Sequence, residues 1–114
     1  SNFMAIVKTI PSRRIINGMQ ITTSEISVVS ELDYRTNGES CVIVTGIPWS
    51  VVVLDSRTTD HVVVKSMTQL TIRPDMGKID EDYDEIVMDK YACVEFRFVG
   101  GTWYILSSDG LKNS

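Results

Sequence analysis

Apolar and polar residues alternate along most of this chain in short runs, and glycine, proline or clustered polar residues separate the runs. A period of two is the mark of a half-buried strand, because successive side chains point to opposite faces. The pattern predicts strands at Met4–Thr9, Arg13–Ile16, Met19–Thr23, Ile26–Leu32, Cys41–Thr45, Trp49–Asp55, His61–Ser66, Gln69–Arg73 and Glu85–Met88, with two more around Gly100-Gly101. No stretch carries a period of 3.6, so about ten short strands separated by polar turns point to an antiparallel β-sandwich or barrel.

Three dipeptides sit where hairpins turn: Asn17-Gly18, Asn37-Gly38 and Gly100-Gly101. Such pairs supply the positive φ of a two-residue turn. Around Asn37-Gly38, pairing Thr36 with Glu39 sets Tyr34 opposite Cys41 and Leu32 opposite Ile43, leaving Arg35 with Ser40 and Asp33 with Val42 on the reverse face. Around Gly100-Gly101, pairing Val99 with Thr102 sets Phe98 opposite Trp103, Phe96 opposite Ile105 and Val94 opposite Ser107. Arg97 then faces Tyr104, and Glu95 faces Leu106, on the other side. The Asn17-Gly18 case is weaker, because Ile15 and Ile16 are adjacent and one must face away from any single core; a bulge or an edge hairpin would accommodate that.

Composition strengthens the all-β reading. Val, Ile and Thr number fourteen, twelve and ten against two Ala and five Leu, and β-branched residues suit a pleated surface better than a helix. The 114 residues fit one domain, 1–114, with Ser1-Asn2-Phe3 read as an expression remnant ahead of a native Met4. Residues 1–20 hold Arg13 and Arg14 and no apolar run of signal-peptide length, and the longest uncharged stretch, Ser40–Leu54, is interrupted by Gly46-Ile47-Pro48. Neither a secretory signal nor a membrane-inserted helix is therefore expected. A net charge of −4 argues against nucleic acid as a partner. The charge is uneven: residues 1–74 hold seven basic and six acidic groups, while residues 75–114 hold four and nine.

Candidate chemistry is sparse. Cys41 and Cys93 lie in apolar runs with no metal-ligand spacing, which reads as two buried free thiols; a disulfide stays open, since sequence does not show their separation. Asp80, Asp82 and Asp84 have the 1, 3, 5 spacing of a calcium loop, but Glu85 stands where an EF-hand needs glycine and Tyr91 where it needs glutamate. A solvated acidic turn fits better, with an irregular cation site at a subunit contact as the alternative. Asp60 and His61 allow a hydrolytic triad to be sketched, yet Ser50, Ser56 and Ser66 have no nucleophile setting. Arg13-Arg14 reads as a surface charge pair. Trp49, Phe96, Phe98, Trp103 and Tyr104 are either core or a platform for stacking on sugars. No catalytic residue, cofactor or metal ligand is assigned, and the expectation is a non-enzyme.

The segment from Ile72 to Ser108 contains Gly77-Lys78-Ile79-Asp80, Glu85-Ile86-Val87-Met88, the apolar strand Tyr91–Phe98, and Gly100-Gly101-Thr102-Trp103-Tyr104-Ile105-Leu106-Ser107-Ser108. It resembles a pattern that recurs at the ends of bacteriophage virion proteins, including tail fibres, spikes and capsid-decorating or head-fibre subunits. The acidic insert at 81–85 departs from that pattern. The resemblance implies a structural or adsorption subunit of a capsid, tail or fibre, made in the host cytoplasm and carried in the virion. It also implies a homo-oligomer, commonly a trimer, that contacts other virion proteins and in some cases a host surface glycan, and has no cofactor. The continuous runs Val51–Leu54 and Val62–Val64 suit that expectation, with one face for the core and one for a neighbouring subunit. Trp49, Arg97 and Tyr104 are the candidate oligomer or ligand contacts. A monomeric carbohydrate-binding β module is the alternative, and it requires exposed aromatic rings around Trp49 or Trp103.

Overall fold

A computed structural model describes residues 6–16 and 19–111. The described chain is all-β, as expected, and forms a single sheet of nine strands that folds back on itself: β1 (Ile6–Ile16), β2 (Met19–Ser30), β3 (Asp33–Arg35), β4 (Cys41–Val44), β5 (Ser50–Leu54), β6 (His61–Ser66), β7 (Leu70–Pro74), β8 (Ile86–Val99) and β9 (Thr102–Leu111). Nine strands replace the ten or so expected because predicted pieces fuse. Arg13–Ile16 continues β1 through Pro11 past a bulge at Ser12/Arg13, and Met19–Thr23 joins Ile26–Ser30 as β2. The Asn17-Gly18 turn itself lies outside the described residues, although Ile16 does face Met19 across it. Met4 lies outside them as well.

The strand order is β1-β2-β4-β6-β8-β7-β5-β3, with β9 paired to β8. From β2 to β7, successive strands thus alternate between two half-sheets, one built from β1, β2, β4 and β6 and the other from β3, β5 and β7. The chain winds as a stack of coils. Cys41 lies beside Val63, and Ser50 lies beside Leu70, in parallel ladders. The purely antiparallel arrangement expected from the sequence is therefore corrected: β2–β4, β4–β6, β3–β5 and β5–β7 are all parallel. The antiparallel ladders are β1–β2, β6–β8, β7–β8 and β8–β9. In an ordinary parallel pair the crossover is a helix; here each crossover is a strand of the opposite half-sheet.

The Asn37-Gly38 hairpin is overturned by this winding. Tyr34 pairs with Val52, not Cys41, and Cys41 pairs with Ile26 and Val63. A type I′ turn needs positive φ at both central residues. Gly38 has it at 88°, but Asn37 is not among the positive-φ residues, and its N–H is instead held by the Glu39 carboxylate at 2.6 Å. Gly100-Gly101, by contrast, has φ of 58° and 88°. Phe98 faces Trp103, Arg97 faces Tyr104 and Phe96 faces Ile105, as the pattern predicts. A bulge between Glu95 and Phe96 then shifts the register, so Glu95 meets Ser107 and Val94 meets Ser108 where the unbulged pairing had Leu106 and Ser107.

The core lies between the half-sheets. Alternate residues point in: Val42 and Val44 from β4, Val52 and Leu54 from β5, Val62 and Val64 from β6, Leu70 and Ile72 from β7, with Val94, Phe96 and Trp103 closing one end. β8 is the seam, because Ile86–Met88 pair with β7 and Cys93–Arg97 pair with β6. Trp103 is fully buried and packs on Phe98 with ring centroids 5.2 Å apart, which places it in the core rather than on a stacking platform.

Candidate functional site

Coils stacked in register bring their corners into line, and the corners hold the polar and aromatic groups that the core excludes. Thr36, Asp55 and Asp75 follow β3, β5 and β7 on one corner. Asp55, whose side chain is almost fully buried, accepts two bonds from the Arg57 guanidinium at 3.0 Å, one from the Arg57 N–H at 2.9 Å, and an ion pair from Arg35 at 3.3 Å. Its own N–H donates to Thr36 Oγ1 at 2.8 Å. The Arg57 bonds outweigh the cost of burial and hold its carboxyl down at about 2. Asp75 accepts from Ser56 and from the Trp103 indole N–H at 3.2 Å, which ties the corner to the core.

The other corner is apolar and exposed. Leu32, Trp49 and Met67 lie where the chain leaves β2, β4 and β6, and Tyr91 lies at the bend of β8. The Val51 N–H bonds Leu32 C=O at 2.8 Å and the Trp49 N–H bonds Gln69 C=O at 2.7 Å, so these corners stack one on another. Ser66 Oγ, at the end of β6, reaches the carbonyls of Asp89 and Ala92. Trp49 and Tyr91 are 62% and 59% exposed and hold φ of 66° and 73°, a left-handed conformation that is unfavourable for bulky residues. Trp49, one of the aromatics read as either core or platform, is thus on the surface. Its companion is Tyr91, a residue the sequence pattern passes over because it sits inside an apolar strand.

Arg97 and Tyr104 lie elsewhere. They face each other on the outer side of β8 and β9, beside His61 at the start of β6, whereas Trp49 borders the far end of that strand. Six residues of strand put about 20 Å between the two places. The three candidate contacts therefore do not converge on one site. Tyr104 donates to Glu81 at 3.0 Å, a bond that raises the phenol's pKa, and Arg97 approaches Asp60 at 3.9 Å. His61 bonds Glu95 at 2.6 Å, and Ser107 donates to the other Glu95 oxygen at 3.0 Å. The carboxylate stands between imidazole and hydroxyl, whereas a hydrolytic triad has the imidazole in the middle. Ser50 and Ser66 face the interior, where Ser50 donates to the Ile47 carbonyl in the preceding turn and Ser66 to carbonyls of β8.

The acidic segment is a built turn. Asp80 and Glu81 have φ of 52° and 64°, Asp80 accepts from the Ile105 N–H at 2.9 Å, Asp84 meets Lys78 at 2.6 Å and Glu85 approaches Arg73 at 3.8 Å. Its carboxylates are spread among separate partners, and no group of three metal-ligating side chains occurs among the described residues. Cys41 and Cys93 are free, as expected, but half-buried on the outer face rather than in the core, and burial raises the Cys41 thiol pKa.

A fifth place carries no mark in the sequence pattern. A cavity of about 390 Å³ opens at the end of the stack beside β3, with Glu25 at its exposed rim and Glu39 as its floor. Glu39 is 2% exposed and accepts from Ser27 Oγ at 2.7 Å, from Tyr34 Oη, and from the Asn37 N–H. Burial, reinforced by the bond to Glu39, pushes the Tyr34 phenol up to about 12. A carboxylate flanked by Gly38 and Ser40 gives no sequence signal of burial. Neither a family model nor a curated protein matches this chain.

Proposed function

We propose that the chain is a non-enzymatic structural subunit of a bacteriophage virion, part of a capsid, tail or fibre, that works by assembling with copies of itself and with other virion proteins. The observation that carries this reading is the hairpin β8–β9. The stretch that resembles phage virion proteins forms a hairpin at its Gly-rich turn, with Phe98 against Trp103 across Gly100-Gly101 and Trp103 in the core, which supports the reading. The outward side chains support self-association. Cys41, Ile43, Val51, Val53 and Val63 are only half covered, and Leu32, Trp49, Met67 and Tyr91 form an exposed apolar ridge. A trimer is the favoured assembly.

Sedimentation equilibrium on the purified chain tests this directly. A mass near three times 12.8 kDa is expected, and a monomer at all concentrations would remove self-association from the reading. Mass spectrometry of banded phage particles tests the location, since the chain should be present at many copies per particle. One observation favours a glycan-binding module as a second reading: the outward, conformationally strained Trp49 is placed as a stacking residue would be. Glycan-array binding by a monomer, lost in Trp49→Ala, would support that reading over the first.

A further inference from the structure

The two half-sheets do not end together. Beyond β2 the first half-sheet gains β1, paired from Ile6 opposite Ser30 to Ile10 opposite Ile26, whereas the second stops at β3. Among the described strands the second half-sheet thus ends one strand short of the first, at β3.

The polarity of that edge follows from the ladder. Leu32 C=O accepts from Val51 at 2.8 Å and the Thr36 N–H donates to Val53 at 3.0 Å, so residues 32, 34 and 36 turn their peptide groups toward β5. Alternation along a strand then turns the N–H and C=O of Asp33 and Arg35 outward. Among the described residues these outward groups have no strand beside them in the order of the sheet, and both residues are exposed. Tyr34, between them, faces in toward Glu39. A residue laid opposite Tyr34 would direct its side chain into the 390 Å³ cavity. Glu25 and Glu39 are among the residues that line that cavity, while Arg35, the one cation in its lining, is drawn to Asp55 at 3.3 Å. Glu39 Oε1 bonds Asn37 N–H, and a carboxylate oxygen can accept a second donor.

We propose that the β3 edge is a strand-addition site for an extended segment of another polypeptide, which lies antiparallel to Asp33–Arg35 and places a Lys or Arg side chain in the cavity between Glu25 and Glu39. The backbone bonds to Asp33 and Arg35 supply affinity, and the acidic cavity supplies the choice of side chain. Antiparallel pairing is the more stable ladder and sets the residues flanking the basic one opposite Asp33 and Arg35.

The probe is the fluorescently labelled peptide Thr-Val-Lys-Val-Thr with blocked ends, titrated with the intact chain and read by anisotropy. It should bind at least tenfold more tightly than the same peptide with Glu at the centre. N-methylation of the two valines, which removes the donors facing β3 without touching the protein, should abolish binding. Asp33→Pro, which deletes an outward N–H and no bond to β5, should do the same, and Glu25→Gln should weaken binding several-fold. No binding at millimolar concentration, equal binding of the Lys and Glu peptides, or indifference to N-methylation would each overturn the proposal. So would a dimer of the free chain that Asp33→Pro dissolves, because the edge would then belong to a second copy.

Discussion

The two ends of the coil stack solve one problem in opposite ways. At one end β8 and β9 cover the core with Phe96, Phe98 and Trp103, and the loop Gly77–Tyr83 is bonded across them through Asp80 N–H to Trp103 C=O at 2.8 Å. Gly77 is required there, because a Cβ would lie 2.4 Å from the Gly101 carbonyl. At the other end, beside the buried Val29, most of the inward positions are polar: Ser27, Tyr34, Thr36 and Glu39 replace the Val and Leu of the middle coils. An apolar end must be roofed by more chain, since uncovered apolar area costs about 25 cal/mol per Å². An end tiled with hydrogen-bonded polar groups can face water, and so it can remain open.

The largest expected effect is at the roofed end. Trp103→Ala removes a fully buried indole and its bond to Asp75, and should cost about 3–5 kcal/mol in urea unfolding. At the open end, Glu39→Ala removes the carboxylate that Tyr34 and the Asn37 N–H bond and one of the partners of Ser27, and should cost about 2–3 kcal/mol. A loss at Glu39 equal to or larger than that at Trp103 would break the contrast, because it would make the polar tiling as central to stability as the core.

The acid limb of stability should come next. Asp55 sits between the two ends, and its folded-state pKa of about 2 lies below the value near 4 of an unfolded aspartate. Its contribution is therefore fully present above about pH 4 and is lost as pH falls through that window toward 2. Asp55→Asn should flatten the stability profile between pH 4 and 2 in thermal melts, and an unchanged slope would assign acid unfolding to other groups. The smallest effect is expected at Tyr104→Ala, below about 1 kcal/mol, because the phenol is partly exposed and bonds an exposed Glu81. If its cost grows on dilution, the outer face of β8–β9 is a subunit contact.

The roofed end was legible in the sequence, because the diglycine and the alternation around it act locally. A two-residue turn fixes register over its neighbours, and only the bulge at Glu95/Phe96 escaped, since one inserted residue leaves no mark in a short polar tail. The coils were not legible as coils. Val51–Leu54 and Val62–Val64 do carry the unbroken apolar run typical of parallel strands covered on both faces, but that signal fits a subunit interface equally well. Asn37-Gly38 misled for a different reason: the turn is set by a buried Glu39 at two residues' remove, and no dipeptide rule includes a carboxylate that far away. Trp49 was visible as an aromatic next to a turn, whereas Tyr91 and Glu39 depend on which strands become neighbours.

The seam strand also governs when this molecule becomes a folded object. Among the described strands β8 alone pairs with both half-sheets, and it follows every coil strand. A nascent chain emerging from the ribosome can lay β4 beside β6 and β5 beside β7, yet nothing holds the two walls to each other at β8's position until Ile86–Arg97 has been synthesised. Most of the closing contacts then join residues far apart in sequence, which is the condition for slow folding. Refolding rate should therefore respond to substitutions at Met88 or Val94, while changes in the corner turns act mainly on unfolding.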